Sequence, residues 1–355
     1  MGDGTTTPIE LDGLRIPLGP HLSGEVLDQL ARGRYERAER AALRAKLRPD
    51  DVVMELGSGI GVLSAYCARV VGSSNVFTFE ANPALEVPIR ALYRENDVSP
   101  TLEICMLGDR HGEERLYVHN AFWASSTAIS QASSSTVTVP VRPFDEAMHE
   151  VSPTFLVIDI EGGELGLLPA LRLDGVRTVV LELHPALIGE DGCAAVLGAI
   201  EDAGFAFDPA ASSDDVFVLE RAPAGGRAER AVDYLPERQK ARATQEICEL
   251  VPPEAAFVLV DSGLWWQGGE FGARRRRSLV ERDGEDWGLP VDARTAMDEL
   301  DRRSAEGARW LVFAWPAFWW FEEFPGLLDG LRERFRCVLE SRRLVVFDLA
   351  DTGRV

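Results

Sequence analysis

The chain has 355 residues, 46% of them hydrophobic, and a formal net charge of −21 at neutral pH. That length suits two domains, each with its own core. So acidic a balance excludes the broad basic face that nucleic-acid binding needs. No apolar run approaches a membrane span, and the opening Met1-Gly2-Asp3-Gly4-Thr5 lacks the apolar core of a signal peptide. Five dispersed cysteines (Cys67, Cys105, Cys193, Cys248, Cys337) show neither disulfide nor zinc spacing, which predicts a reducing, cytoplasmic setting.

In chain order, residues 1–20 are rich in Gly, Thr and Pro and read as a lead-in. Leu22 to Leu47 has apolar residues at helical spacing and charges on the other face. Arg48-Pro49-Asp50 stops that helix. Strands are predicted over 52–56, 76–80, 102–106, 155–159, 178–183 and 215–219, with helical stretches between several of them. This alternation predicts an α/β fold, a parallel sheet with helices on both faces. The runs 115–118 and 136–141 read as extra strands. Residues 221–233 read as a linker, which places one domain over 1–220 and a second, smaller α/β domain over 234–355. Seven of the eight tryptophans lie beyond residue 260. In that second half, 257–261 and 310–313 read as strands, 294–306 and 324–335 as helices, and 337–339 with 344–347 as a hairpin. The basic block Arg274 to Arg277 reads as a solvated loop.

The most telling run is Val52-Val53-Met54-Glu55-Leu56-Gly57-Ser58-Gly59-Ile60-Gly61. A buried strand ends in an acid, and glycines follow at alternate positions before a helix. Glycines there allow a tight turn and bring bare backbone amides up to a ligand. A dinucleotide loop would read G-x-G-x-x-G and receive pyrophosphate. The E-x-G-x-G-x-G spacing suits a cationic amino group instead, such as that of S-adenosylmethionine. The next strand ends at Glu80, where an acid can hold both ribose hydroxyls. Cofactor-binding candidates are thus Glu55, Gly57, Ser58, Gly59, Gly61, Glu80, Ala81, Asn82, Leu107, Gly108 and Asp159.

Acids recur at the ends of the fourth and fifth main strands, in Asp159-Ile160-Glu161-Gly162-Gly163-Glu164 and in Glu182-Leu183-His184-Pro185. Ligands of open sheets sit at the C-terminal strand ends, so Asp159, Glu182 and His184 are the candidate catalytic residues. Methyl transfer to an alcohol needs an aligned hydroxyl and a proton acceptor. His184 has a suitable pKa for that proton. A divalent cation held by Asp159 with Glu182 or His184 is the alternative. A polar, aromatic loop supplies the acceptor-binding candidates His119, Trp123, Ser125 and Ser126.

Together, Glu55 to Gly61, Phe79-Glu80-Ala81-Asn82-Pro83, Asp159 to Glu164 and Leu181 to Pro185 make residues 22–220 resemble the FkbM-type methyltransferases. The resemblance implies a Rossmann-like class I methyltransferase sheet and O-methylation of a sugar, glycan or secondary metabolite. It implies that Glu55 to Gly61 and Glu80 hold S-adenosylmethionine and that Asp159 lies near the transferred methyl. Many relatives carry lysine two residues before the Asp159 position, where this chain has Val157. The C-terminal half resembles modules attached to bacterial glycan-modifying enzymes, through Glu249 to Pro253, Glu306 to Phe313 and Ala317 to Phe321. Of the four consecutive aromatics Phe318 to Phe321, most are expected in the core, because they cannot all face one way. Expected partners are a small-molecule or glycan acceptor, with a second copy of the chain or a glycan-biosynthesis enzyme as further possibilities. The competing readings are a non-catalytic methyltransferase-fold module and a nicotinamide oxidoreductase.

Overall fold

The computed structural model describes residues 8–119, 133–213, 215–222, 229–265, 269–282, 285–286 and 288–351. Two compact units divide the chain, Met1–Leu235 and Pro236–Val355.

The first unit opens with a short hairpin, β1 (Ile9–Leu11) and β2 (Leu14–Ile16), followed by α1 (Gly24–Ala31) and α2 (Arg37–Lys46). The single helix expected over 22–47 is therefore two. Gly33 and Glu36 both take left-handed φ angles, +69° and +47°, and no helix runs through such residues. Arg40 fixes this break. It is 3% exposed and donates to the carbonyls of Tyr35 and Gly33 at 2.9 and 2.7 Å, and to Asp12.

The main elements follow in alternation: β3 (Val53–Leu56), α3 (Val62–Val71), β4 (Val76–Glu80), α4 (Glu86–Glu95) and β5 (Thr101–Ile104). A separate three-stranded sheet then intervenes, from β6 (Met106–Gly108), β7 (Gly112–His119) and β8 (Ser133–Pro143), and α5 (Phe144–Val151) returns the chain. Last come β9 (Phe155–Ile158), α6 (Glu164–Leu167), β10 (Thr178–Glu182), α7 (Pro185–Asp202), β11 (Phe205–Phe207) and β12 (Val216–Arg221). Among the described residues the main sheet has the order β11-β12-β10-β9-β3-β4-β5.

This is the expected Rossmann-like α/β sheet, with one departure from a purely parallel reading. The strands β10, β9, β3, β4 and β5 are parallel to their neighbours, whereas β12 runs antiparallel to β10 and to β11. A three-residue β11 is too short to show a period, so the sequence did not announce it. Central strands are buried on both faces, and Val53, Met54, Phe155, Leu156, Val179 and Leu181 are fully enclosed. Each such side chain contributes roughly 1.5–3 kcal/mol by leaving water.

Asp51 ties three of these strands together at their N-terminal ends. It is 3% exposed. One oxygen accepts from the Arg48 amide at 2.7 Å and from Arg177 at 2.6 Å. The other accepts from the Thr154 hydroxyl at 2.8 Å.

The expected linker at 221–233 is in part structural. Arg221 ends β12, and Ala231, Val232 and Leu235 are buried in the core of the first unit. The second unit begins with α8 (Pro236–Leu250). It continues with β13 (Ala256–Val260), β14 (Arg275–Arg277), β15 (Glu281–Arg282), β16 (Glu285–Asp286), α9 (Ala293–Ala305) and β17 (Ala308–Ala314). Then follow α10 (Trp320–Glu323), α11 (Leu327–Arg334), β18 (Arg336–Glu340) and β19 (Leu344–Asp348). Its sheet has the order β14-β13-β17-β19-β18. The basic block expected as a loop supplies β14, which pairs in parallel with β13. Trp320 is buried, and Phe318, Trp319 and Phe321 pack against the same core, so the aromatic run is packing.

Candidate active site

The C-terminal ends of β3, β4, β9 and β10 open onto a cavity of about 640 Å³. Its floor is the turn from β3 to α3. Gly57, Gly59 and Gly61 have φ of +83°, +51° and +88°, values that residues with a Cβ rarely adopt. Gly57 is also a contact point. A Cβ on it would fall 1.6 Å from the Asp159 carbonyl oxygen. The loop therefore passes directly over the strand that carries the acidic cluster.

Glu80 braces this loop. One carboxylate oxygen accepts from the Ser58 and Gly59 amides at 3.0 and 3.2 Å, and the other from the Asn82 amide at 2.7 Å. Burial pushes its pKa up to about 7, against the pull of these amides. Glu80 lines the cavity, together with Gly57, Gly59, Ala81, Leu107 and Gly108. Ser58, Gly61 and Asn82 support the loop from behind and do not line it.

Glu55 lies elsewhere than expected. Its register partners are Thr78 on β4 and Val157 on β9, and alternation along the strand puts all three on the α3 side of the sheet. It is 1% exposed, accepts from the Thr78 hydroxyl, and leaves its second oxygen without a hydrogen-bond partner. Burial raises its pKa to about 7. Glu55 is not among the residues that line the cavity and sits beneath the loop. Val157 is buried in the same layer. A lysine at that position would stand beside Glu55, away from the acceptor.

The candidate catalytic residues do converge. Asp159 and Glu182 line the cavity, and donor atoms of Asp159, Glu182 and His184 all lie within 4.8 Å of one another. The parallel register of Ile158 with Leu181 brings the first two together. Burial pushes Asp159 well above the usual carboxylate range, helped by the charges of Glu161, Glu39 and Glu36. Burial and the Asp159 charge raise Glu182 to about 10.

His184 stands behind this wall and is not part of it. Its Nδ1 donates to Glu164 at 2.9 Å, and its Nε2 lies 3.3 Å from Glu161 and 3.6 Å from Asp159. Burial pulls the imidazole down, yet the Glu164 hydrogen bond and the Glu161 and Glu182 charges outweigh it, to about 9. An imidazole so enclosed is a poor direct base for an acceptor in the cavity. Glu161 lines the wall, and burial raises its pKa as well. It is held at a left-handed φ of +49°, strain of the kind that collects at working sites.

The sequence did not single out the residues that α1 and α2 bring in. Tyr35, Glu36 and Glu39 also line the cavity, and Glu39 reaches Glu182. A Cβ on Gly59 would lie 3.0 Å from the Tyr35 hydroxyl. One Glu36 oxygen is buried without a hydrogen-bond partner. The left-handed turn at Glu36 is what aims it, and helical periodicity carries no trace of such a turn. Of the expected acceptor-binding residues, Trp123, Ser125 and Ser126 lie outside the described residues. His119 ends β7 opposite Ser133, and its side chain is outside them too.

Among the described residues no helix is long and apolar enough to cross a membrane. No curated protein matches the chain. Solved structures similar to it include the precorrin-6y C5,15-methyltransferase of Geobacter metallireducens GS-15, with 13% identity, 53% of this chain and 88% of that one covered, and a TM-score of 0.33. A methyltransferase from Pyrococcus furiosus gives 14%, 60%, 91% and 0.34. TYW2 of M. jannaschii in complex with AdoMet gives 14%, 62%, 89% and 0.32. Residues 51–207 match the family model described as the methyltransferase FkbM domain. The matched stretch is the one that builds β3 to β11, with the glycine loop and both acidic strand ends.

Proposed function

We propose that the chain is an S-adenosylmethionine-dependent O-methyltransferase acting on a hydroxyl of a sugar, glycan or secondary metabolite. One observation carries the reading: the glycine loop with Glu80, and the carboxylates of Asp159, Glu161 and Glu182, open onto the same cavity. Its volume is in the range of small-molecule sites, roughly 300–1,000 Å³.

Gly57 and Gly59 would let the cofactor lie against bare backbone, with Glu80 at its ribose. The bound cofactor supplies a methyl group activated on a sulfonium. The protein's part is then to orient an acceptor oxygen and take its proton. Asp159 and Glu182 fix the oxygen, His184 braces Asp159 and Glu161 from behind, and Glu161, on the wall and raised in pKa by burial, accepts the proton. The elements that carry this chemistry sit at the C-terminal strand ends, where sheets of this kind bind ligands.

Calorimetric titration with S-adenosylmethionine and its demethylated product tests the cofactor. Binding, followed by mass-detected methyl transfer to a panel of sugars and glycosides, is the expected result. Absence of cofactor binding rejects the proposal. Binding with transfer only to nitrogen or carbon acceptors rejects the O-methyl assignment.

A further inference from the structure

The cluster at the ends of β9 and β10 is arranged as a set of metal ligands. Two carboxylates and one imidazole, from Asp159, Glu182 and His184, present donor atoms within 4.8 Å of one another. The imidazole is prepared for such a role. Its Nδ1 is bound to Glu164 at 2.9 Å, and Glu164 is 1% exposed and also accepts from the Gly162 amide at 3.2 Å. A carboxylate that only accepts holds a proton on Nδ1, so Nε2 is the nitrogen that gives up its proton and offers a lone pair when a metal binds. That nitrogen looks toward Asp159 at 3.6 Å and Glu161 at 3.3 Å. A carboxylate–histidine pair of this type is the usual outer support of a metal-binding imidazole.

A second observation is a buried acceptor without a hydrogen bond. The Oδ1 atom of Asp159, the one facing His184 Nε2, is wholly buried and has no hydrogen-bond partner. Its nearest positive group is the imidazole at 3.6 Å, too far for a hydrogen bond, and an ion held between the two would complete it.

We propose that Asp159, Glu182 and His184 bind a divalent transition-metal ion, and that this ion receives the acceptor's hydroxyl oxygen. Two hard oxygens and one imidazole nitrogen suit Mn²⁺ and its neighbours better than Ca²⁺. Three protein ligands leave positions open. Asp159 and Glu182 line the cavity, so those open positions face the acceptor. The ion would make the hydroxyl proton easier to remove, and Glu161 stands beside it to take that proton. The role of the ion rests on the O-methyltransferase reading, whereas its binding does not.

The test is a titration of the full chain with Mn²⁺ alone, followed by electron paramagnetic resonance of the free ion, without cofactor or acceptor. One ion per chain is expected. Asp159→Asn and Glu182→Gln should each weaken it at least tenfold, and Glu164→Gln roughly tenfold through the imidazole. Circular dichroism of each variant checks folding, and if one unfolds the other carries the test. No Mn²⁺ binding, or binding unchanged in the folded variants, overturns the site. A chain that binds S-adenosylmethionine but not Mn²⁺ refutes the ion alone. A chain that binds Mn²⁺ but not S-adenosylmethionine refutes the function and keeps the site.

Discussion

Gly57 and Asp159 touch so closely that a single methyl group on the first would collide with the backbone of the second, 1.6 Å from its carbonyl oxygen. Two strand ends, one for the cofactor loop and one for the acidic cluster, are thereby locked at a fixed spacing. Gly57→Ala should cost about 3 kcal/mol or more, from the left-handed φ together with the overlap. Gly33→Ala, at a φ of +69° with nothing within 4 Å of its Cβ, should cost only about 1 kcal/mol. Urea unfolding of the two variants checks the contrast, and equal costs would mean that the contact is not rigid.

Glu80→Ala removes the acceptor for the Ser58 and Gly59 amides as well as the proposed ribose partner. Hydrogen bonds to a charged group are worth about 1.5–3 kcal/mol each. Affinity for S-adenosylmethionine should therefore fall roughly a hundredfold in calorimetry. A change below threefold would show that Glu80 holds neither the loop nor the ribose.

The buried Glu55 makes stability depend on pH. Its pKa rises from the usual 4.5 to about 7 because burial penalises the charged form. The folded state therefore binds a proton more tightly than the unfolded one. Stability from this group is full below about pH 4.5 and is lost as pH rises through 7. At ~1.4 kcal/mol per pH unit the loss is roughly 3 kcal/mol at pH 8. Glu55→Gln should thus stabilise the ligand-free protein by about 1–3 kcal/mol at pH 8 and have little effect at pH 5. Thermal unfolding at the two pH values decides it, and a benefit of equal size at both would contradict the cause.

Asp51→Ala should destabilise the first unit by about 3–5 kcal/mol, because it strands Arg177 beside a lost partner. It also frees the Thr154 hydroxyl and the Arg48 amide. Since these bonds sit at the N-terminal strand ends, cofactor affinity at saturating stability should stay within threefold. Denaturant titration and calorimetry together test both halves of the statement.

In the second unit, Trp265 is fully buried and its indole nitrogen donates to the Thr244 hydroxyl at 2.8 Å. Trp265→Ala should cost about 3–5 kcal/mol. Two apolar clusters lie wholly within residues 236–355, so that fragment should unfold cooperatively by itself. A broad, non-cooperative melt of the fragment would refute its independence.

The strands of the main sheet were legible because buried parallel strands are apolar runs with turn residues at their ends. That Glu80, Asp159 and Glu182 share one cavity was legible because ligand crevices of such sheets form at those ends. The face of Glu55 was not legible. A strand of four residues, buried on both sides, shows no alternation to say which way an acid points. Nor was the division at Gly33 and Glu36, since periodicity records which residues could share a helix face and not where the backbone changes hand. The role given to His184 depended on a neighbour, Glu164, whose contact with it spans a loop.

Tyr35, Glu36 and Glu39 stand on the cavity wall, yet they precede the stretch that matches the FkbM family model, which begins at residue 51. The matched stretch carries the loop and the acidic strand ends, while part of the wall is contributed by a leader of a different kind. Variation in that leader reshapes the chamber without disturbing the catalytic frame. A substitution at Tyr35, Glu36 or Glu39 thus alters the chamber from outside the matched stretch.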